Sequence, residues 1–388
     1  MKSLVLIDAG LLSATIAFVT NWLALIPWRR AKDRHWSERA RLYFPVRVAA
    51  ASNLWVLPAV LTISGVLVWP EESPHWMLLA LITASGAVVG TIPMDREVFP
   101  HIPRRELFRQ AAVNWLIRFL LWFVFLTAIT LMPDQFSIQT GVIAASVLAL
   151  CIFWSHDGWI RVGRKIGLFV PPTERLLCIV RETAARVNVP VRDVCLMRIS
   201  IAQAFAAPAG RRLLFSERLV ELLSDDEISA TATHELAHLT EVRADYYKRY
   251  VIWLMFLPWL LFKPLLHTFG PTGFFMLLGT TVVAPILYRS VCRKLEIRAD
   301  KVAHMNEPAS GTYARALLRL HEDSLVPAVH AKQHGTHPHL YDRLLAAGIQ
   351  PDFPRPPPAK AMAWNGVLFS AALGIVAMLL IIRLTGGF

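Results

Sequence analysis

"HELAHLTEVRAD", residues 234–245, is the stretch on which the reading of this chain turns. His234 and His238 stand four apart, so on a helix both imidazoles emerge from one face and can grip one zinc ion. Glu235 lies beside that face, placed to take a proton from a water that the zinc acidifies. Ser224 followed by Glu227 is a capping-box signature, which predicts a helix that opens there and runs through the motif. A bare HExxH recurs by chance in unrelated chains. The cap and the acidic residues nearby lift this one above that background.

A site of this type needs a third protein ligand, and the chain offers two similar strings, "TEVRAD" (240–245) and "LEIRAD" (295–300). Glu241 falls on the predicted motif helix, but a rise of about 1.5 Å per residue carries it ~10 Å beyond His234. Three ligands in line along a straight helix do not converge as tetrahedral zinc requires. Glu296 would converge from a second helix, provided the intervening chain returns beside the first. Asp300, one turn later, could then accept the free ring N–H of a zinc histidine. Glu296 is therefore the expected ligand, and Glu241 with Asp245 is expected on a solvated or salt-bridged face pairing Arg243 and Lys248.

The rest of the chain says where this site sits. Of 388 residues, 55% are hydrophobic and only 18% charged, a balance that points to a membrane protein. Apolar runs long enough to span lie near 4–27, 48–69, 75–93, 112–132, 138–158, 250–267, 272–290 and 362–383. The first ends in "PWRRAK" rather than a small-residue cleavage site, so it is read as a span. Lys263 interrupts the sixth run near its far end, where its side chain can snorkel to the interface.

The net charge of +12 is concentrated between these runs. Segments 28–47, 94–110 and 161–165 are basic, whereas "PEESP" (70–74), "PDQ" (133–135) and the turn at 268–273 are not. That alternation places segments 161–248 and 291–360 in the cytoplasm. No aromatic-studded basic strip or nucleic-acid motif is present, which argues against nucleic acid as a partner. The four cysteines are scattered without a CxxC pair and read as inert thiols in a reducing compartment.

The expected organisation is a bundle of about five membrane helices over 1–160. A first zinc-domain segment (161–248), a membrane hairpin (249–290), a second zinc-domain segment (291–360) and a last membrane helix (361–388) follow. Within the first soluble segment, 172–188 reads as helix and 193–200 and 204–207 as extended chain. The polar residues Asn53, Asn114, Arg118, His156 and Asp157 in the spans could line a water-filled chamber or snorkel to the interface.

HELAH, two spans, then ExRAD is a layout that resembles the integral-membrane gluzincin peptidases, which include the HtpX heat-shock protease and the zinc CaaX prenyl protease (peptidase family M48). Two further strings match: "AQAFAAPAG" (202–210) resembles the family's NAF-type strand, and "THPHLYDRL" (336–344) its C-terminal HPPxxxR motif. The four motifs span roughly 200–345 and leave the first 170 residues uncovered. The resemblance implies a mainly α, multi-pass membrane protein with a small α+β gluzincin-type domain on the cytoplasmic side. One Zn²⁺ would be held by His234, His238 and Glu296, with Glu235 as general base.

On the same resemblance His337 and Arg343 would hydrogen-bond the substrate carbonyl, and Gln203, Ala204 and Phe205 would offer a strand edge to an extended peptide. Two departures stand out: Gln203 replaces the asparagine of the strand motif, and His339 the second proline. "HGTHPH" by itself would also admit a second metal site on His334, His337 and His339. The implied activity is zinc endoproteolysis of peptide or protein substrates, membrane-associated ones included. The alternative is a membrane receptor or regulator acting through limited or self-cleavage. An arginine-rich, lysine-poor style suggests a bacterial source, hence a protein of the cytoplasmic membrane with its site facing the cytoplasm. The sequence leaves the oligomeric state open.

Overall fold

The computed structural model describes residues 2–68, 75–330, 338–360 and 364–384. The chain begins with α1 (Lys2–Ala24), α2 (Ile26–Arg30), α3 (Trp36–Val68), α4 (His75–Val98), α5 (Arg104–Leu131), α6 (Ile138–Phe153) and α7 (Trp159–Lys165). Next come β1 (Phe169–Val170), α8 (Glu174–Arg186), β2 (Asp193–Met197), β3 (Ala204–Ala207), β4 (Arg212–Ser216), α9 (Glu217–Leu222) and α10 (Asp225–Leu239). It closes with α11 (Val242–Phe256), α12 (Phe262–Phe269), α13 (Pro271–Met305), α14 (Thr312–Asp323), α15 (Leu340–Ala346) and α16 (Trp364–Leu384). Among the described residues the protein is mainly helical, with one small sheet.

Among the described residues five stretches are long and apolar enough to cross a membrane: Leu6–Arg30, Trp36–Thr62, Met77–Val98, Ile138–Lys165 and Val242–Phe269. They mark the chain as a membrane protein. The other three expected spans also fall on helices, but their apolar stretches are shorter, Trp122–Leu131, Pro271–Ala284 and Gly366–Ala377. The expected basic loop at 28–47 is mostly helix: α3 starts at Trp36 and is braced by an Arg41–Glu38 ion pair three residues apart. Charge there marks an amphipathic helix entry, not a loop. The string "PEESP" lies outside the described residues.

The Cα positions divide into two compact units, Met1–Phe123 with Leu325–Ala331 and Pro356–Phe388, and Val124–Ser324 with Lys332–Arg355. In the first, α1 and α4 approach so closely that a Cβ at Gly86 would overlap the carbonyl oxygen of Gly10, and one at Gly90 that of Ala14. This is small-residue packing of membrane helices, where backbone proximity replaces the missing hydrophobic drive. Gly90→Val should force the pair apart and cost about 1–3 kcal/mol in a denaturant titration of the detergent-solubilised protein. An unchanged midpoint would show that this contact does not matter. Asn53 donates to Ser370 Oγ at 3.0 Å, which ties α16 to α3.

The second unit is built on a four-stranded sheet in the order β1-β2-β4-β3. β2 and β4 run parallel, while β1 on β2 and β3 on β4 are antiparallel. Leu176 and Val180 of α8, Leu213 and Phe215 of β4, and Ile228 and Leu236 of α10 meet in its core. Each helix is started by a side-chain cap: Thr173 opens α8, and Ser224 with Glu227 forms the expected capping box on α10.

Lys263 has defined partners at its end of the sixth run. It donates to the carbonyl oxygens of Thr130 and Met132 at 3.0 and 3.1 Å, closing the C-terminal end of α5. Asp157 sits in a kink after α6 with φ of 64°, buried, and faces Arg212 at 3.2 Å. A Cβ at Gly210 would overlap that carboxylate, so glycine is what lets the turn before β4 close over it.

Candidate metal centre

α10 is buried along nearly its whole length, and its capping box fixes where its turns begin. His234 and His238, one turn apart, both point Nε2 into the same space, 3.3 Å from each other. α13 is a single 35-residue helix whose N-terminal part is apolar and whose C-terminal part carries Glu296 and Asp300. It lies against α10 and brings Glu296 to the histidines, its Oε2 3.4 Å from His234 Nε2 and its Oε1 3.7 Å from His238 Nε2. One ligand atom from each of the three lies within 4.8 Å of the others. Two imidazole nitrogens and one carboxylate leaving a further position open is the donor set of a hydrolytic zinc site.

Asp300, one turn beyond Glu296, faces the other ring nitrogen of His234, with Oδ1 3.2 Å from Nδ1. A residue without any motif joins it: the Tyr313 hydroxyl lies 2.7 Å from His234 Nδ1 and donates to Asp300 Oδ1 at 2.9 Å. Tyr313 is fully buried in the first turn of α14, and its ring stacks on that of His234. Burial pushes its hydroxyl well above the usual range, so the hydroxyl remains a donor.

Arg343 of α15 bonds both Asp300 and, at 2.8 Å, the Tyr313 hydroxyl. Its guanidinium reaches His234 through those two groups and is itself buried. His337 lies outside the described residues, as does His334. His339 is the N-cap residue of α15.

Glu241 is placed differently from expectation. α10 stops at Leu239, and Glu241 has φ −104° and ψ 37° as the N-cap residue of α11, so no straight helix carries it onward. The bend turns its carboxylate back, with Oε2 3.2 Å from His238 Nδ1, and buries it. It is salt-bridged rather than solvated, but its arginine partner is Arg298 at 3.0 Å and not Arg243. Asp245 does lie on a salt-bridged face, 3.9 Å from Lys248 and 2.6 Å from Arg249.

Gln203 and strand β3 form one edge of the sheet alongside α10. The main chain of Gln203 bonds Ser216 twice, its N–H donating to the Ser216 hydroxyl Oγ and its C=O accepting from Ser216 N, both 2.9 Å, and the residue is exposed.

The charges around the histidines set how the site takes up a metal. Burial works to lower both histidine pKa values, but the carboxylates outweigh it. Asp300 and Glu296 raise His234, and Glu241 and Glu296 raise His238 to about 10. Burial acts to raise Asp300, and the His234 bond and the Arg343 charge more than offset it, holding the acid below its ordinary value.

The raised His238 value stabilises the metal-free fold fully below about pH 6.5, and this is lost as pH climbs through about 10. A cation must displace these protons. Zinc loading at pH 7.5 should therefore release ~1–2 protons in a weakly buffered titration, and affinity should keep rising with pH well above 7. Loading without proton release would contradict this arrangement.

Residues 171–348, which include every group of this centre, match Peptidase family M48. The match spans somewhat less than half of the chain. The chain is also 33% identical over 116 residues to the Protease HtpX homolog of Thermoplasma acidophilum. That stretch covers 26% of this chain and 37% of the other protein. The groups of the metal centre thus fall in the stretch that is similar to Peptidase family M48, and five helices long and apolar enough to cross a membrane accompany it among the described residues.

Proposed function

We propose that this chain is a membrane-embedded zinc metalloendopeptidase that cuts membrane-associated polypeptides, its site on the cytoplasmic side and its membrane the bacterial cytoplasmic one. The observation that carries the reading is the convergence of His234, His238 and Glu296 on one point, with Glu235 on the same buried helix. Bound zinc would supply Lewis-acid polarisation of the scissile carbonyl and make water deprotonable near neutral pH. Glu235 is the general base that takes the proton from the attacking water and hands it to the leaving amine.

An extended substrate would add to the free edge of β3, main chain to main chain, which leaves its side chains largely unspecified. Asp300 and Tyr313 keep His234 in the tautomer whose Nε2 carries a free lone pair. Arg343, bonded to both, serves this reading by holding them in place, and His337 is the remaining group assigned to the substrate carbonyl. The basic segments 28–47, 94–110 and 161–165 support the cytoplasmic side.

Incubating the purified, full-length protein in detergent with a mixed peptide library and mapping products by mass spectrometry tests the proposal. Internal cleavages that stop on chelation and return with zinc are expected. Cleavage indifferent to chelation, or none at all, would overturn it.

A further inference from the structure

The two similar strings meet at the zinc centre. Arg298, from the second, sends NH1 to Glu241 Oε1 at 3.0 Å and NH2 to Thr240 Oγ1 at 3.2 Å. The other oxygen of Glu241 faces His238 Nδ1 at 3.2 Å. The glutamate side chain is 4% exposed and the arginine 57%. The carboxylate is thus shared between a ligand histidine and an arginine at the rim.

We propose that Glu241 and Arg298 are positioning residues of the metal centre. Glu241 accepts from Nδ1 of His238 so that Nε2 is turned to the cation, and Arg298 holds Glu241 in that rotamer. The proposal rests on the zinc reading above. An imidazole ligates only through a deprotonated nitrogen, so the group that accepts from the opposite N–H selects both the tautomer and the ring orientation. A buried carboxylate is costly unless it is paired and hydrogen-bonded. The fork of Arg298 supplies this and at the same time fastens Thr240, pinning the bend between α10 and α11 that aims Glu241 at the ring.

The opposite histidine is served in parallel: Asp300 faces Nδ1 of His234 and Arg343 bonds Asp300. Each metal-facing imidazole therefore has one carboxylate behind it, and each carboxylate one arginine. The partners cross over, since Arg298 and Glu296 belong to α13 while Glu241 follows α10. Zinc retention is thereby linked to α10 and α13 lying together. A plain strap between helices would contribute to melting temperature only. A positioning pair acts on metal affinity.

Competition against a chelating dye, with the full-length protein in detergent, separates the two. Glu241→Ala should weaken zinc ~10–100-fold, and Glu241→Gln, which keeps an acceptor, should recover part of the loss. Arg298→Gln should weaken zinc about tenfold, with partial rescue by Arg298→Lys, which restores charge without the fork. The Glu241→Ala/Arg298→Gln double variant should lose no more than Glu241→Ala alone, because the arginine acts through the glutamate.

Melting of the metal-free forms is the structural control, and Arg298→Gln should leave it close to wild type. Wild-type zinc affinity in either Glu241→Ala or Arg298→Gln, or losses that multiply in the double variant, would overturn the proposal while sparing the zinc peptidase reading. A wild-type protein that takes up no zinc would overturn both.

Discussion

Glu235→Gln should lower peptide hydrolysis by ~10²–10⁴-fold while leaving the zinc content at one ion per chain, because a general base contributes to the rate and not to the metal's ligands. The substitution is nearly isosteric, and Glu235 sits among buried neighbours on α10 that hold the backbone whichever side chain is present. Its carboxylate charge acts on both His234 and His238. Removing that charge therefore has a second, smaller signature: the metal-free histidines should lose part of their raised proton affinity. Single-turnover rates, zinc content and histidine titration of the purified variant check all three. Undiminished cleavage would remove Glu235 from the mechanism.

Glu296→Ala should abolish stable zinc binding, and activity with it. The two histidines alone present two nitrogens 3.3 Å apart on one helix, an incomplete set for a tetrahedral ion. The carboxylate that completes it arrives from α13, whose position is fixed by packing on α10 and α11. Glu241 cannot replace it, since its carboxylate is engaged at Nδ1, on the far side of the His238 ring. Metal analysis after dialysis is the check, and a full zinc complement in Glu296→Ala would refute the assignment. The fold should survive, because Glu296 is not part of the core cluster formed by α8, α10 and the sheet.

The parts of this centre that were legible in the sequence are those set by chemistry at fixed spacing. His234, Glu235 and His238 are read from helical geometry, and the start of α10 from its capping box. The choice of Glu296 over Glu241 followed from the need for convergence, and Asp300 from its place one turn later. The structure brings these groups together.

What stayed hidden depends on tertiary context. Glu241 was misread because hydropathy carries no signal for the bend at Thr240–Glu241, and a straight helix was the default. Tyr313 belongs to no motif, and only the packing of α14 against α10 brings its hydroxyl to His234. The basic segment 28–47 looked like a loop because charge is a feature of both loops and amphipathic helix entries. "GAVVG" at 86–90 was an unread packing signal for the α1–α4 contact.

The account stands on one coordination sphere, and zinc-edge X-ray absorption on the zinc-loaded, full-length protein measures it directly. It predicts one zinc per chain with two imidazole nitrogens at about 2.0–2.1 Å, light oxygen scatterers, and no sulfur. A sulfur shell at about 2.3 Å, or a single imidazole, would place the metal elsewhere and contradict the site described by His234, His238 and Glu296.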